Sequence, residues 1–347
     1  MAAGFIGWFA DIGLAQRAEV GGKGGSLGEL ERAGIAVPPG FVVKTAAFEQ
    51  FIAELERSEP LRARVATLAA DDLAAIETAS SELRARVRAA PLAADIRAAL
   101  ADAYRLLGTR ASAAVAVRSS ATTEDASDAS FAGLQDTYLW IASEESMLDH
   151  VRACWASLYS VESIAYRRHR GIDEREVAMA VVVQAMVEAR TAGVMFTRSP
   201  TTGDRSVITI EGAWGLGSAV VGGEVTPDRW VVGKITGEIS VREISDKQIE
   251  HRRAAAGGVA TVNVSTERRC AACLSDAQLE QLRQIARQVE RQYGCAQDIE
   301  WAIDSGGALL LLQSRPETVW SSKEISPAAR PAADPLAHVM SIFGGRR

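Results

Sequence analysis

Three polar side chains near the C-terminal end of the chain have the types and spacing to hold a metal-bound polyphosphate. Glu300 lies in one apolar run, and Gln313 and Arg315 lie in a second run that follows an Asp-Ser-Gly-Gly turn. This pattern predicts a β-hairpin, and if residues 305–308 form its loop, Glu300 lies opposite Gln313. Alternate residues share a strand face, so the three side chains can converge on one face of the hairpin. Glu300 and Gln313 would then supply oxygen ligands for Mg²⁺, and the Arg315 guanidinium would bind phosphate oxygens. An ordinary hairpin with a polar outer face is the alternative.

An upstream glycine-rich segment carries a further phosphate-type residue. Residues 20–28 read VGGKGGSLG, in which the glycines let backbone approach a ligand and Lys23 can meet a phosphate group. The segment is not a Walker A loop, because glycine follows Lys23 and Arg17 stands where that motif requires glycine. By itself it is as consistent with a flexible turn as with a phosphate site.

Two other polar residues stand at the ends or centres of apolar runs. Arg118 ends the run VAV and opens the hydroxyl-rich segment RSSATTED, which predicts either a phosphate clamp or a serine-rich surface loop. Gln184 is the one polar residue within the apolar run 178–187. Because buried polar groups need partners, this strand predicts a contact with an adenine ring or an amide satisfied by a neighbouring loop.

The elements that must position these residues follow from periodicity and breaking residues. Residues 45–108, rich in Ala, Leu, Arg and Glu and interrupted near two prolines, predict several scaffold helices. Apolar spacing predicts a buried-face helix over 147–168. A capping box that begins at Ser275 predicts another helix, which ends at Gly294.

Composition bounds the class of protein. The 347 residues predict about two domains, and a net charge of -6 gives no general attraction to nucleic acid or anionic membranes. No stretch approaches the ~18 uncharged apolar residues of a membrane span, and the N-terminus lacks the basic region of a signal peptide. Cys270 and Cys273 form a CxxC without a second pair or paired histidines, which favours incidental thiols and a cytoplasmic location.

Five segments resemble, in order, the N-terminal ATP-binding domain shared by phosphoenolpyruvate synthase (pyruvate, water dikinase), pyruvate phosphate dikinase and rifampin phosphotransferase. They are VGGKGGSLGEL, VAVRSSATTEDASDASFAGLQDT, GVMFTRSPTTGD, GAWGLGSAVVGGEVTPDRW and DIEWAIDSGGALLLLQSRP. The resemblance covers about residues 15–318 and implies an α+β fold of the ATP-grasp type, in which two subdomains clamp ATP. We expect the N-terminal subdomain at 1–190, the C-terminal subdomain with the hairpin at 191–320, and a linker or tail at 321–347.

The resemblance implies contacts to the nucleotide in the first subdomain. Lys23 and Arg118 resemble the phosphate contacts of the family. Gly133 and Thr137, within FAGLQDT, resemble the small loop that closes over the phosphates, and Gln184 lies in the strand that borders adenine. The GAWGLG loop fits near the nucleotide, but the resemblance gives its residues no roles.

The resemblance also implies the metal and triphosphate end of the site. Glu300, Gln313 and Arg315 match the family residues that hold magnesium and the triphosphate, with Glu300 and Gln313 as the metal ligands. We therefore expect ATP and Mg²⁺ as cofactors and catalytic roles for Lys23, Arg118 and Arg315.

The implied reaction needs a group that we do not find in the sequence. In this family the β,γ-diphosphate of ATP passes to a histidine on a swivelling domain, and AMP leaves. In the water dikinases water then releases the γ-phosphate, and the remaining phosphohistidine phosphorylates an acceptor. The sequence has four histidines, His150, His169, His251 and His338, and none lies in a Gly-Gly-x-x-x-His type of loop. We also find no match to the acceptor-binding barrel of the family. We expect a free-standing ATP-binding subunit, with a fragment as the alternative, that works with a separate histidine-bearing phosphotransfer subunit. That partner would also bind the small-molecule acceptor.

The acceptor stays open at this point. Phenylphosphate synthase of anaerobic phenol metabolism is split in this way, so phenol stands beside pyruvate as a candidate. An antibiotic or glucan dikinase component is an alternative, as is a non-catalytic ATP-sensing subunit, although a sensor need not keep both Glu300 and Gln313. We expect neither nucleic acid nor membrane among the partners.

Overall fold

Two α+β halves make up the part of the chain that the structure describes. The computed structural model describes residues 4–111, 114–122, 136–255, 257–318 and 320. Antiparallel sheets of five and six strands each carry helices and a separate hydrophobic core, which confirms the predicted α+β class. The helices are α1 (Arg17–Arg32), α2 (Thr45–Glu56), α3 (Leu61–Ala66), α4 (Leu73–Ala89), α5 (Ala94–Arg110), α6 (Glu144–Ser157), α7 (Val161–Arg170), α8 (Ser218–Val221), α9 (Thr266–Arg269) and α10 (Asp276–Tyr293).

The first sheet is buried on both faces. Its strands are β1 (Ile6–Trp8), β2 (Gly40–Val43), β3 (Val115–Ala121), β4 (Thr137–Ile141) and β5 (Met179–Ala185), in the spatial order β1-β2-β5-β3-β4. Because side chains alternate along a strand, Val181 and Val183 of β5 face the helical core that contains Trp155 of α6. Val182, between them, packs with Leu27 of α1 on the opposite face.

The second sheet follows in the chain and holds the predicted hairpin. The strands of this half are β6 (Ala189–Phe196), β7 (Val207–Trp214), β8 (Asp228–Gly233), β9 (Ile239–Glu243), β10 (Ile249–Arg253), β11 (Val259–Asn263), β12 (Gln297–Asp304) and β13 (Leu309–Pro316). Six of them form a sheet in the order β13-β12-β6-β7-β8-β9, and β10 and β11 form a separate ribbon. The predicted subdomain boundary at 190/191 lies within β6 and stays a prediction, and the predicted tail at 321–347 lies outside the described residues.

The predicted helices are present, with one correction. The scaffold helices over 45–108 are α2 to α5. The capping box at Ser275 opens α10, and Gly294 ends it with a φ of 68°. The single helix predicted over 147–168 is wrong: it is two helices, because Ser160 caps the start of α7 by accepting the Ser163 N–H. Among the described residues, no helix is long and apolar enough to cross a membrane.

The glycine-rich segment around Lys23 is helical, so the flexible turn that its composition allowed is absent. α1 runs through it with one break at Gly21, whose φ of 70° and ψ of 176° suit only glycine. Ser120 of β3 fills the break: its Oγ accepts the Gly24 N–H at 3.1 Å and donates to the Val20 carbonyl at 2.9 Å. The glycines therefore let a helix pack closely against a strand.

Helix α1 also joins the two halves. Its residues Val20 and Leu27 pack on the first sheet, whereas Leu30 belongs to the core of the second. Ser26 Oγ donates to the Ser314 carbonyl oxygen of β13 at 2.7 Å. Both sheets are thus held by one helix, so the position of the first sheet relative to the hairpin depends on how α1 packs.

We predict that Gly21→Ala strongly destabilises the protein. A Cβ at this position would lie 2.1 Å from the Ser120 carbonyl oxygen, on a backbone with φ of 70°. We expect a loss of at least ~2 kcal/mol in the free energy of unfolding, measured by urea denaturation.

Gly34→Ala is the matched control for this substitution. Gly34 has the same φ of 70°, but a Cβ there would meet no atom within 4 Å. It should lose only about 1 kcal/mol, the cost of the left-handed backbone itself. Equal losses for the two variants would contradict the close approach of α1 to β3.

Candidate functional site

The hairpin of β12 and β13 has the predicted pairing at its chemical end. Glu300 pairs with Gln313, and Asp298 pairs with Arg315, as a loop at residues 305–308 predicts. Closer to the turn the prediction is wrong by one residue, because a β-bulge follows Glu300 and leaves Leu312 without a ladder partner. The bulge therefore changes the strand pairing directly beside the predicted ligands.

Arg118 reaches across from the first sheet to this point of the hairpin. Its Nη2 donates to Glu300 Oε2 at 3.0 Å and to Gln313 Oε1 at 2.5 Å, and its Nη1 donates to the Leu312 carbonyl at 2.9 Å. Arg118 and Gln313 are buried, and Glu300 is partly exposed. One guanidinium thus holds three groups of the hairpin, one of them the carbonyl of the bulged residue Leu312.

Two of the other predicted phosphate contacts, Thr137 and Lys23, lie among the described residues of the first half. Thr137, at the exposed start of β4, is the cross-strand partner of Arg118. Lys23 is half-buried on α1. Burial raises the pKa of the Cys154 thiol on α6, and the nearby charge of Lys23 acts against that increase. Gly133 lies outside the described residues.

Arg315 shares the face of Glu300 and Gln313, as predicted, but its pair with Asp298 is two positions along the ladder from the pair that Arg118 contacts. Its Nε is 3.6 Å from Asp298 Oδ2, and its side chain is 40% exposed. The hairpin therefore carries two cations of different kinds, because Arg118 is buried and shared between the sheets whereas Arg315 is open to solvent.

A cavity of about 380 Å³ lies between the two sheets and has Arg118 and Glu300 in its wall. Gln184 is also in the wall, and its Nε2 donates to the Pro38 carbonyl at 3.2 Å. Both interpretations of Gln184 are therefore compatible with the structure, since a neighbouring loop satisfies the amide while the residue still borders the cavity. The remaining wall is mostly apolar and includes Leu139, Met186, Val187, Leu216, Val221 and Leu312.

These apolar wall residues are not predictable as part of the site from the sequence. Leu139 comes from β4, Met186 follows β5, and Leu216 belongs to the GAWGLG loop. Each looks like an ordinary core residue in sequence, and no spacing connects them. The one available signal was the loop itself, whose Gly215 has a φ of 74° and brings Leu216 into the wall.

The described residues offer few side chains that could bind a metal ion at this site. Among the described residues, no three His, Cys, Asp or Glu side chains converge as a metal site. Glu300 and Gln313 place a carboxylate and an amide oxygen side by side, which suits Mg²⁺ that takes its other ligands from phosphate and water. Burial raises the pKa of the Cys273 thiol to about 12, whereas Cys270 is exposed, an arrangement unsuited to a thiolate site.

Comparisons with known proteins agree on one family. The family model described as pyruvate phosphate dikinase, AMP/ATP-binding domain, matches residues 17–334. A probable phosphoenolpyruvate synthase of Methanothermobacter thermautotrophicus is 40% identical over 90% of this chain and 46% of its own length. The phosphoenolpyruvate synthase of Aeropyrum pernix is 39% identical over 93% of this chain and 43% of its own length.

A rifampicin phosphotransferase of a Streptomyces species is 42% identical over 89% of this chain and 35% of its own length. The chain therefore spans less than half the length of these curated relatives. Among solved structures, D-alanyl-alanine synthetase A of Vibrio cholerae matches 63% of this chain and 46% of that chain, with a TM-score of 0.25 and 12% identity. This similarity is too low to indicate a shared fold or function.

We predict that Arg118→Lys weakens the association of the two sheets. A lysine keeps the charge but cannot reproduce the planar fork that contacts Glu300, Gln313 and the Leu312 carbonyl together. The free energy of unfolding should fall by about 1.5–3 kcal/mol in urea denaturation.

Arg97→Lys is the control, since Arg97 also pairs with a glutamate, Glu145, but both side chains are more than half exposed. It should change the free energy of unfolding by less than ~0.5 kcal/mol. Equally small effects at both positions would mean that the Arg118 contacts do not hold the sheets together.

Proposed function

Since the chain belongs to the pyruvate phosphate dikinase AMP/ATP-binding domain family, we propose that it binds Mg-ATP between its two sheets and activates it for transfer of the diphosphate to a histidine. The observation that carries this proposal is Arg118, held at the end of an apolar cavity by a carboxylate and an amide. Such a guanidinium can exchange those oxygens for phosphate oxygens, which it can bind through two parallel N–H groups.

The cavity offers separate environments for the two ends of ATP. Leu139, Met186 and Leu216 form an apolar enclosure that suits a purine ring, and the amide oxygen of Gln184 can accept from its amino group. The phosphates would extend toward Arg118 and Glu300, with Thr137, Lys23 and Arg315 as further contacts from both sheets. This division matches the roles that the family resemblance assigns to the same positions.

The metal would lie where Glu300 and Gln313 meet. Once Arg118 turns to phosphate, these two side chains present free oxygens to Mg²⁺. A bound Mg²⁺ supplies positive charge that stabilises the transferring phosphoryl group. The chain's own contribution is to orient the triphosphate and to concentrate cationic groups, Lys23, Arg118 and Arg315, around it.

In the proposed transfer, a histidine nitrogen forms a bond to the β-phosphorus. At the same time, the bond breaks between that phosphorus and the oxygen that bridges it to the α-phosphorus. AMP leaves with the bridging oxygen, and the histidine carries the β,γ-diphosphate. We propose that this histidine belongs to a separate subunit or domain, which also binds the acceptor.

Pyruvate is one candidate for the acceptor, since two relatives bear the name phosphoenolpyruvate synthase. Phenol, as in phenylphosphate synthase, and an antibiotic, as the rifampicin phosphotransferase name suggests, are the others.

We predict that Glu300→Gln abolishes most AMP formation when the protein is mixed with ATP, Mg²⁺ and a histidine-bearing partner. The substitution keeps the shape of the side chain but removes the charge that would hold the metal. We expect a decrease of about 100-fold or more in the rate of AMP release, measured by chromatography. Retained turnover would overturn the assignment of Glu300.

Glu243→Gln is the control, because Glu243 is an exposed carboxylate on β9 that accepts a hydrogen bond from Arg229. It should leave AMP formation unchanged. A non-catalytic ATP sensor, the alternative, would bind ATP in a Glu300-dependent manner but release no AMP with any histidine-bearing partner.

A further inference from the structure

A serine, a histidine and a glutamate form a hydrogen-bonded line beside the cavity. Ser218 Oγ lies 2.9 Å from His251 Nδ1, and His251 Nε2 lies 3.3 Å from Glu224 Oε2. Ser218 begins α8, His251 is on β10, and Glu224 follows α8. No contact in the proposed activation of ATP uses these three residues.

His251 is fixed in place independently of its side chain. It is only 7% exposed, and its backbone carbonyl accepts the Leu216 N–H at 2.9 Å. Gly215 approaches the same carbonyl so closely that a Cβ would lie 2.4 Å from it. The GAWGLG loop is therefore anchored to the backbone of β10. The imidazole is not needed for that anchor and can bind Ser218.

Ser218 occupies a wall shared by two cavities. It lines the cavity of about 380 Å³ and also a more open cavity of about 720 Å³, which His251 lines as well. The charged wall residues of the first cavity, Arg118 and Glu300, bind each other, and the Gln184 NH₂ donates to a backbone carbonyl. Ser218 therefore supplies a neutral hydroxyl on the part of the wall formed by the GAWGLG loop and α8.

The hydrogen bonds among Ser218, His251 and Glu224 determine whether the Ser218 hydroxyl donates or accepts on its cavity side. An imidazole that donates its Nε2–H to Glu224 has a lone pair on Nδ1, which accepts the Ser218 hydroxyl proton. The Ser218 oxygen then turns lone pairs toward the cavity and accepts a hydrogen bond. Of the groups on ATP, the two ribose hydroxyls and the adenine amino group are donors, and the ribose lies between the purine and the phosphates.

We propose that Ser218 accepts a hydrogen bond from a ribose hydroxyl of the bound nucleotide, with His251 and Glu224 as positioning residues. This inference rests on the proposed function and deepens it. It makes the site selective for ribonucleotides, because a deoxynucleotide would leave the Ser218 oxygen without its donor.

The test compares ATP with 2′-deoxy-ATP and 3′-deoxy-ATP in the presence of Mg²⁺, by calorimetric titration of the full chain. The unsubstituted protein should bind one of the two analogues about 3- to 10-fold more weakly than ATP, as one neutral hydrogen bond implies. Ser218→Ala should bind ATP as weakly as that analogue while its Kd for the analogue is unchanged, so the ratio falls to about 1. His251→Ala should reduce the ratio as well, because the hydroxyl loses its orientation.

Ser240→Ala is the matched control, since Ser240 is an exposed serine of β9 whose hydroxyl donates to a backbone carbonyl. It should keep the ratio of the unsubstituted protein. If Ser218→Ala weakens ATP and both analogues equally, or changes none of them, the ribose contact is wrong. ATP binding that depends on Glu300 but not on the ribose hydroxyls would overturn this inference alone, whereas no ATP binding at all would overturn the proposed function with it.

Discussion

The buried guanidinium of Arg118 is the contact on which the arrangement of the two sheets depends. A buried cation without partners costs several kcal/mol, so its acceptors must be present when the two halves close. All three acceptors come from the hairpin of the second sheet, and one of them is the carbonyl of Leu312, which lies at the β-bulge. The contact between the two halves therefore lies at the irregular part of the hairpin, beside Glu300 and Gln313.

Three consecutive residues at the end of β3 make contacts in three directions. Arg118 reaches the hairpin, the Ser119 N–H donates to the Asp136 carbonyl at 3.2 Å, and Ser120 caps the break in α1. The same short segment thus ties the second sheet, the start of β4 and the glycine-rich helix together. Because α1 also packs on both sheets, Lys23 stands on a rigid element and not on a loop.

The cleft separates apolar surface from charge, which suits a ligand that has an aromatic base at one end and phosphates at the other. The GAWGLG loop closes one wall, and its anchor on the His251 backbone leaves the imidazole available to orient Ser218. Under the proposed function, every residue with an argued part binds or orients the nucleotide. The group that receives the phosphates would then come from elsewhere in the assembly.

The sequence by itself determined the scaffold helices, the capped helix at Ser275 and the pairing of Glu300 with Gln313. These depend on local periodicity, capping and strand alternation, which act over a few residues and are legible in the chain. The family, and with it the α+β class, was legible too, because its five segments keep their order.

Only the tertiary structure decided the state of the glycine-rich segment, the bulge beside Glu300 and the apolar wall of the cavity. Each depends on a partner far away in sequence: Ser120 caps α1 across about a hundred residues, and Arg118 meets Glu300 at a separation of 182. Glycine composition is compatible with a turn or with close packing, and only the neighbour that approaches selects between them. The link between Ser218 and His251 is hidden for the same reason, since nothing local connects a helix start to a strand 33 residues later.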